Sequence, residues 1–275
     1  MPPLRLTPPT LGGTDGSMVE VMTTMRAMRR LRPDPVPDEL VRELIEAAMC
    51  APSAGHQQGQ VFLVVTDRDR IARLATVWRM VVDMYEGWMG KADPRYGIDP
   101  VIVRTWDAVH YQRDHFHETP VVIVACYDQR AYIRGVKRRI GDMVAALRMA
   151  GPGRATRMVL GGFNAVEQRS EAASIYPAVQ NLLLAARAHG LAATMTTWHL
   201  FAEADVKEIL EIPSNVRTYA LIPIGWPRGR WSGDAAPARR SYPSGPLVKR
   251  TLRGPTRIPV GSGWLEHPDR SDVNA

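Results

Sequence analysis

Four arginines lie close together near the start of the chain, at Arg26, Arg29, Arg30 and Arg32. A guanidinium group is planar and offers several N–H donors, so neighbouring arginines can clamp a phosphate through paired hydrogen bonds. Apolar residues at helical spacing over 18–31 predict a helix whose last turns carry these arginines. A solvated basic helix face has the same pattern, so the cluster alone leaves both interpretations open.

A second polar segment, at 51–60, reads APSAGHQQGQ and follows a predicted helix. That helix begins near Pro37, because proline suits a first turn and the acidic Asp38 complements the positive end of the helix dipole. Pro52 and the glycines end it, and the run 61–66 is predicted as a strand. We therefore expect a helix, a polar loop and a strand in succession.

A third segment combines the clearest helix with a short strand. Apolar residues recur at helical spacing over 174–189, and Gly190 suits the C-cap. The run 191–197 is predicted as a short strand, and 202–210 as a further helix.

The remaining segments complete the predicted α+β pattern. The continuous apolar run from Val121 to Cys126 predicts a strand buried on both faces. Pro223, in the predicted strand 218–224, cannot donate a ladder hydrogen bond, so we expect an edge position or a bulge. The aromatic-rich stretch 78–116 is predicted to be irregular, and the glycine-rich stretch 151–173 to be a mobile excursion.

The 275 residues contain no repeat and no internal linker between two cores. One domain over 18–254 is therefore predicted, with a flexible tail at 1–17 and an extended or flexible tail at 255–275. Lysines and arginines outnumber acidic residues by 35 to 28, for a net charge of +7. This surplus suits an anionic ligand or an ordinary basic surface. No basic stripe interleaved with aromatic residues is visible, so we do not predict nucleic-acid binding.

Several other classes are disfavoured by the sequence. The longest apolar run is far too short to cross a bilayer, and residues 1–17 lack the apolar stretch of a secretory signal, so a cytoplasmic protein is predicted. Cys50 and Cys126 are predicted to be buried free thiols in a reducing compartment. The motifs GxGxxG, GxxxxGK[ST], HExxH and GxSxG do not occur.

One histidine-rich stretch could present ligands to a metal. His110, His115, His117 and Glu118 offer imidazole and carboxylate groups within a short span. The alternative is a polar lead-in to the strand at Val121. An extended segment supplies two or three ligands, and no fourth is visible, so we predict no metal site.

The order of the three segments carries the functional prediction. They read MRAMRRLRPDPVP at 25–37, APSAGHQQ at 51–58, and SIYPAVQNLLLAARAHGL at 174–191 followed by TMTT at 194–197. From about Met22 to Trp226 the chain resembles the nitroreductase family. That family carries an arginine-rich helix before a DPVP-like link, an APS-type loop and a QNLLLAA helix ending in Gly-Leu, in this order.

The resemblance implies an α+β fold with a mixed sheet flanked by helices, an intertwined homodimer, and FMN held between subunits and reduced by NADPH or NADH. It implies that the arginine-rich segment meets the flavin phosphate, ribityl chain and pyrimidine side, and that the Pro-Ser loop reaches the ring from the other subunit. The resemblance also implies that the turn after Gly-Leu approaches flavin N5 and that an arginine late in the chain contacts the phosphate. The implied FMN-binding residues are Arg26, Ala27, Arg29, Arg30, Pro52, Ser53, Ala54, Met195, Thr196, Thr197 and Arg240.

The chain also departs from the family pattern. His56 stands where the loop usually has Asn, Gly59 and Gln60 replace Pro-Trp, and Ala27 occupies a position that is often Ser. The resemblance implies reduction of nitroaromatic, quinone-like or related small acceptors by hydride transfer through flavin N5. Reductive dehalogenation, flavin modification and non-catalytic flavin binding stay open as alternatives. No side chain in these motifs demands the role of an acid or a base, so no catalytic residue is predicted.

Overall fold

The computed structural model describes residues 18–54, 57–130, 140–157, 163–229, 247–251 and 254–258. Helices and strands are interspersed along the chain. The helices are α1 (Met18–Thr24), α2 (Asp38–Met49), α3 (Arg68–Tyr85), α4 (Pro100–His115), α5 (Ile140–Ala150), α6 (Pro152–Arg157), α7 (Phe163–Ala188) and α8 (Glu203–Leu210). The strands are β1 (Gln60–Val65), β2 (Val121–Asp128), β3 (Ala192–Ala193), β4 (Val216–Gly225), β5 (Leu247–Thr251) and β6 (Gly254–Ile258). A π-helix spans Glu86–Gly90, and 3₁₀ turns span Phe116–Glu118 and Trp198–Ala202.

One sheet has the strand order β1-β2-β4-β3, and each described pairing in it is antiparallel. β2 pairs with β1 from Val122 opposite Val65 to Tyr127 opposite Gln60. Its other edge pairs with β4, with an irregularity between Ala125 and Cys126. The predicted α+β class is confirmed. The sheet, predicted as mixed, contains antiparallel pairs among the described strands.

Side chains of β2 alternate between two apolar cores. Val121 and Ile123 pack with α2 and α7, whereas Val122 and Val124 pack with α3, α4 and α8. We name these sides the α2–α7 face and the α3–α4 face. Each residue from Val121 to Tyr127 is buried, which confirms the prediction of a strand covered on both sides.

Helix α7 supplies a buried stripe to the α2–α7 face. Ile175, Val179, Leu182 and Ala186 form its buried stripe at helical spacing. Gly190, with a φ of +73°, follows the end of the helix in the left-handed conformation expected for a C-terminal glycine. The predicted helix at 174–189 is therefore confirmed.

The prediction of an excursion over 151–173 was wrong in its described part. α7 begins at Phe163, and α6 occupies Pro152–Arg157. Gly151 has a φ of +78° and separates α5 from α6. Glycine here marks a break between helices rather than a long loop, because only the backbone at the break needs the left-handed conformation.

The prediction that 78–116 is irregular was also wrong. α3 continues to Tyr85, the π-helix follows, and α4 fills most of the rest. Aromatic rings of this stretch contact the 3₁₀ turn at Trp198. The ring centroids of Trp106 and Trp198 lie 6.1 Å apart, and Tyr85 stacks on Trp198 with 4.1 Å between centroids. The contacts are shared among several elements, so no single helical stripe appears in the sequence.

Pro223 lies in an interior strand, so the predicted edge position was wrong. The irregularity of β4 lies elsewhere, opposite Ala125 and Cys126. The carbonyl of Pro223 accepts from Thr194 N at 3.4 Å. In an antiparallel strand, the backbone N and O of one residue point to the same side. The nitrogen of Pro223, which has no hydrogen to donate, therefore faces the segment after β3. No hydrogen bond to β2 is lost.

The cysteine prediction was half right. Cys126 is buried, and burial raises the pKa of its thiol to about 12. Cys50 is exposed, because it caps α2 beyond the last buried position, Ala48. Both thiols are free. Across the described ranges, no helix is long and apolar enough to cross a membrane.

The chain divides into two compact units, Met1–Ser232 and Gly233–Ala275. In the second, β5 and β6 form an antiparallel pair from Leu247 opposite Ile258 to Thr251 opposite Gly254. The predicted tail at 1–17 lies outside the described residues, as do residues 259–275 of the predicted C-terminal tail. The limits 18–254 and 255–275 stay predictions.

Candidate active site

The arginine-rich segment is extended rather than helical. The helix predicted over 18–31 ends at Thr24, because Arg26 Nη1 donates to the carbonyls of Thr23 and Met25 at 2.7 Å each. The Thr23 carbonyl is the acceptor that the next helical turn would need. The segment instead pairs with distant backbone: Met28 N donates to Ala193 O at 3.1 Å. This pairing brings the arginines beside the turn that follows β3.

That turn is fixed to the sheet at its centre. Thr196 and Leu221 exchange two backbone hydrogen bonds of 2.9 Å each. The Thr196 hydroxyl accepts from Trp198 N at 3.3 Å. The hydroxyl and backbone N–H of Thr197 have no partner among the described residues. Thr197 is therefore held in place with two donors available.

A cavity of about 160 Å³ lies between these two segments and the α3–α4 face. Its walls combine a cation, an amide, aromatic rings and the turn after β3. They are formed by Arg29, Trp78, Val109, Gln112, Met195, Thr196, Thr197 and Trp198.

Several polar groups of this cavity are unpaired among the described residues. Both amide atoms of Gln112 and the indole N–H of Trp78 are buried with no hydrogen-bond partner within the described part of the chain. Arg29 is half-buried, and burial lowers the pKa of its guanidinium. It has no carboxylate or other acceptor among the described residues. Buried polar groups are normally paired, so this cavity is built for a polar ligand.

The unpaired groups match one edge of a flavin. The pyrimidine ring of isoalloxazine carries two carbonyl oxygens, a ring nitrogen acceptor and an N–H donor. The Arg29 guanidinium and the Trp78 indole can donate, while the Gln112 amide can donate and accept. The residues present therefore fit the pyrimidine edge of FMN. The cavity is smaller than a whole ligand pocket, so it suits that edge alone.

Sequence reasoning missed Gln112 and Trp78. Gln112 lies on α4 between the buried Val109 and Phe116, at the spacing of one helix face. A glutamine on an apolar stripe was the available signal. Trp78 begins the aromatic-rich stretch 78–116, and nothing in its spacing distinguishes a ring that lines a cavity from one that fills the core.

The predicted site residues divide into groups. Arg29, Met195, Thr196 and Thr197 line the cavity together. Ala27 is exposed nearby on the arginine-rich segment. Arg26 folds onto the end of α1, and Arg30 lies over the Tyr111 ring, with 5.4 Å between Cζ and the ring centroid.

The loop at 52–54 does not join the cavity within one chain. Ala54 N is held by the hydroxyl of Ser174 on α7, at 3.0 Å, and Pro52 is exposed. The Ser53 hydroxyl accepts from Gln58 N at 3.4 Å. His56 and Arg240 lie outside the described residues.

The histidines considered as metal ligands have separate neighbours. His110 Nε2 lies 3.0 Å from Glu86, His115 stacks on Tyr111, and His117 Nε2 lies 4.0 Å from Glu118. Within the described ranges, no three His, Cys, Asp or Glu side chains come together as a metal site.

A buried histidine supports the turn from behind. His199 is 1% exposed, and its Nε2 lies 3.2 Å from the Thr218 hydroxyl. Burial lowers the pKa of His199 to about 4, although Glu203 opposes the shift. Glu203 accepts from both Thr218 N and its hydroxyl, at 3.0 and 2.9 Å. His199 is therefore neutral and structural.

The α+β fold and a cavity of unpaired donors matched to a pyrimidine edge define a flavin-binding oxidoreductase. The chain belongs to the nitroreductase family, whose model matches residues 23–226. It is accordingly an FMN-dependent oxidoreductase with NAD(P)H as electron donor.

Individual proteins are similar over the same region. An NADH dehydrogenase of Thermus thermophilus is 27% identical over 80% of this chain and 86% of its own. Iodotyrosine deiodinase 1 of Rattus norvegicus is 22% identical over 76% of this chain and 61% of its own. The solved structure of B. megaterium NfrA1 has 17% identity and a TM-score of 0.53, covering 78% of this chain and 68% of its own, and supports the fold alone.

Proposed function

We propose that this protein is a cytoplasmic homodimer that reduces nitroaromatic, quinone-like or related small acceptors by hydride transfer through flavin N5. One observation carries the proposal: the unpaired polar groups of Arg29, Gln112 and Trp78 share a cavity with the turn at Met195–Thr197. FMN, when bound, supplies hydride acceptance and donation. The roles below belong to the chain itself.

Arg29 and Gln112 hold the pyrimidine edge. The guanidinium donates to a carbonyl oxygen, and this contact is strong because one partner is charged. The Gln112 amide gains hydrogen bonds that no described residue supplies to it. Thr197 offers its hydroxyl or backbone N–H to N5. The protein thus contributes position and electrostatics, and the cofactor contributes the chemistry.

Three of the remaining predicted residues are proposed to hold the tail of the cofactor. Arg26 supplies a cation, Ala27 a backbone contact, and Arg240 the late phosphate contact, whereas Arg30, which lies over the Tyr111 ring, contacts a different phosphate. Arg26 already donates to two carbonyls, so it must exchange part of that pairing for the ligand. Guanidinium groups suit this role because their donors match phosphate oxygens in pairs.

The proposed dimer follows from a part of the flavin site that one chain does not supply. The cavity of about 160 Å³ accommodates an edge of the flavin, and the loop of Pro52, Ser53 and Ala54 is tied to α7 on the α2–α7 face. A second copy is the remaining source of that loop. Sedimentation or light scattering of the FMN-loaded protein tests this, and a flavin-bound monomer contradicts it.

An aromatic wall favours planar acceptors. Trp198 lines the cavity, stacks on Tyr85 at 4.1 Å, and lies 5.9 Å from the Trp78 ring. Stacked rings restrain one another and form a flat apolar surface. Such a surface excludes water and accepts another ring.

The test begins with the flavin spectrum. Purified protein should be yellow or gain a bound-flavin spectrum on FMN addition, whereas colourless protein that gains none defeats the proposal. Arg26→Ala should weaken FMN binding by about 1.5 to 3 kcal/mol, the range for hydrogen bonds to charged groups. Arg42→Ala, on the exposed side of α2, is the matched control and should leave FMN affinity unchanged.

Substrate class is tested with the FMN-loaded protein. NADH and NADPH are supplied in turn with nitroaromatics, quinones and halophenols. Reductive dehalogenation is the second candidate, favoured by similarity to a protein named iodotyrosine deiodinase 1. Halide release from halophenols without nitroaromatic or quinone turnover would select that candidate.

A further inference from the structure

Two arginines converge on one tyrosine beside the cavity. The Arg30 Cζ lies 5.4 Å from the centroid of the Tyr111 ring, and the Arg228 Cζ lies 6.0 Å from it. Arg228 also donates from Nη1 to the Tyr111 hydroxyl. The ring of Tyr111 stacks on His115 at 4.0 Å between centroids and 7° between planes. Tyr111 is thus a fixed platform for two guanidinium groups.

The backbone holds these arginines as neighbours. Arg228 N donates to Arg30 O at 2.9 Å, and Arg32 N donates to Trp226 O at 2.8 Å. Leu31 and Pro227 form a β-bridge between these two bonds. The pairing of the two side chains is therefore built into the fold.

The charge of this cluster is uncompensated. Some other arginines have carboxylate partners, such as Arg32 with Asp34 at 2.6 Å and Arg113 with Asp83 at 2.8 Å. Arg30 and Arg228 are both exposed, and neither has a carboxylate partner among the described residues. Two like charges on one ring repel, and contact with the ring face offsets this only in part. The arrangement favours an anion.

The cluster lies one residue along the chain from two residues of the cavity wall. Arg29 and Gln112 line the cavity, and they are the chain neighbours of Arg30 and Tyr111. A nicotinamide donor that delivers its hydride at the cavity would extend over the neighbouring surface, which includes this cluster. NADPH differs from NADH only by a 2′-phosphate, which is a dianion with oxygens that match guanidinium donors.

We propose that Arg30, Tyr111 and Arg228 form the binding site for the 2′-phosphate of NADPH, which makes NADPH the preferred donor. This inference rests on the proposed function, because it assigns the donor of the same reaction. Tyr111 orients Arg228 through its hydroxyl, and both guanidinium groups contact the phosphate.

The kinetic test compares both donors on the FMN-loaded protein. The wild type should show a higher kcat/KM with NADPH than with NADH. Arg228→Ala should lower kcat/KM for NADPH by about tenfold or more, the loss expected for a hydrogen bond to a charged group, and leave the value for NADH unchanged. Arg42→Ala, at an exposed position on α2, should leave both values unchanged.

A binding test separates this proposal from the proposed function. By calorimetry, adenosine 2′,5′-bisphosphate should bind the wild type more tightly than adenosine 5′-monophosphate, and Arg228→Ala should abolish that difference. This measurement needs no electron transfer, so it stands even if no acceptor is reduced. The proposal is overturned if both nucleotides bind equally tightly. It is also overturned if Arg228→Ala lowers kcat/KM equally for NADH and NADPH. Loss of FMN from Arg228→Ala also overturns it, since the cluster would then hold the flavin phosphate.

Discussion

Two buried polar clusters on opposite faces of the sheet differ in their hydrogen bonding. On the α2–α7 face, Glu171 is 2% exposed and accepts from Arg217 Nη1 at 3.1 Å and from the Tyr219 hydroxyl. On the α3–α4 face, Gln112 and Trp78 keep buried polar atoms without a partner among the described residues. The Glu171 cluster therefore completes its own hydrogen bonding, and the cavity groups leave theirs for a ligand.

The contrast separates residues that stabilise the fold from residues proposed to bind the cofactor. An unpaired buried polar group costs about 1 to 3 kcal/mol. We propose that the cavity on the α3–α4 face carries that cost in the apoprotein and recovers it when flavin binds. Substitutions on the two faces should consequently differ in sign as well as in size.

The largest effect is expected from the apolar core of the α2–α7 face. Leu182→Ala should lower the free energy of unfolding by about 2 to 5 kcal/mol, because Leu182 is fully buried and the substitution leaves a cavity. Urea unfolding measures this, with the partly exposed Leu184→Ala on the same helix as control. Equal losses from both variants would show that α7 does not pack as described.

The paired network of the same face should come next. Glu171→Gln removes the charge that Arg217 faces, so the free energy of unfolding should fall by about 1.5 to 3 kcal/mol. FMN affinity of the folded protein should not change. If flavin affinity falls with stability, the division of roles between the faces is wrong.

On the α3–α4 face the sign should reverse. Gln112→Met keeps the length of the side chain and removes two unpaired polar atoms, so the apoprotein should become more stable by about 1 to 3 kcal/mol. FMN binding should weaken at the same time. Unfolding of the apoprotein and FMN titration measure the two effects, and Gln180→Met on the exposed side of α7 is the control. A less stable apoprotein contradicts an unpaired Gln112.

The smallest effect concerns pH. Burial lowers the pKa of His199 from 6.5 to about 4, so the unfolded chain binds its proton first as pH falls. The contribution of His199 to stability is complete above about pH 6.5 and is lost as the pH falls towards 4. Between pH 7 and pH 5 the loss should be roughly 1 to 2 kcal/mol.

His199→Asn tests this contribution. The variant should have a flatter stability profile over that interval, and His117→Asn, at an exposed position, should keep the wild-type profile. An unchanged pH profile in His199→Asn would assign the acid sensitivity to other groups.

Local patterns predicted the elements whose packing is periodic. The helix at 174–189 and the strand from Val121 were found because one buried stripe or one continuous apolar run reports burial directly. The 78–116 stretch was misjudged, because Tyr85 and Trp106 pack against Trp198 from different elements. Hydrophobic periodicity reveals a helix that packs against one surface, and it is lost when neighbouring side chains pack against several elements.

The α+β class and the nitroreductase family followed from the sequence alone, and its motifs predicted Arg29 and Thr197, which line one cavity. Three-dimensional packing was needed to show that the arginine-rich segment is extended, that Gln112 and Trp78 line the same cavity as Arg29, and that Arg30 meets Arg228 on Tyr111. Motifs record residue types along the chain. Unpaired buried atoms and converging charges arise between segments distant in sequence, where long-range backbone pairing alone sets the neighbours.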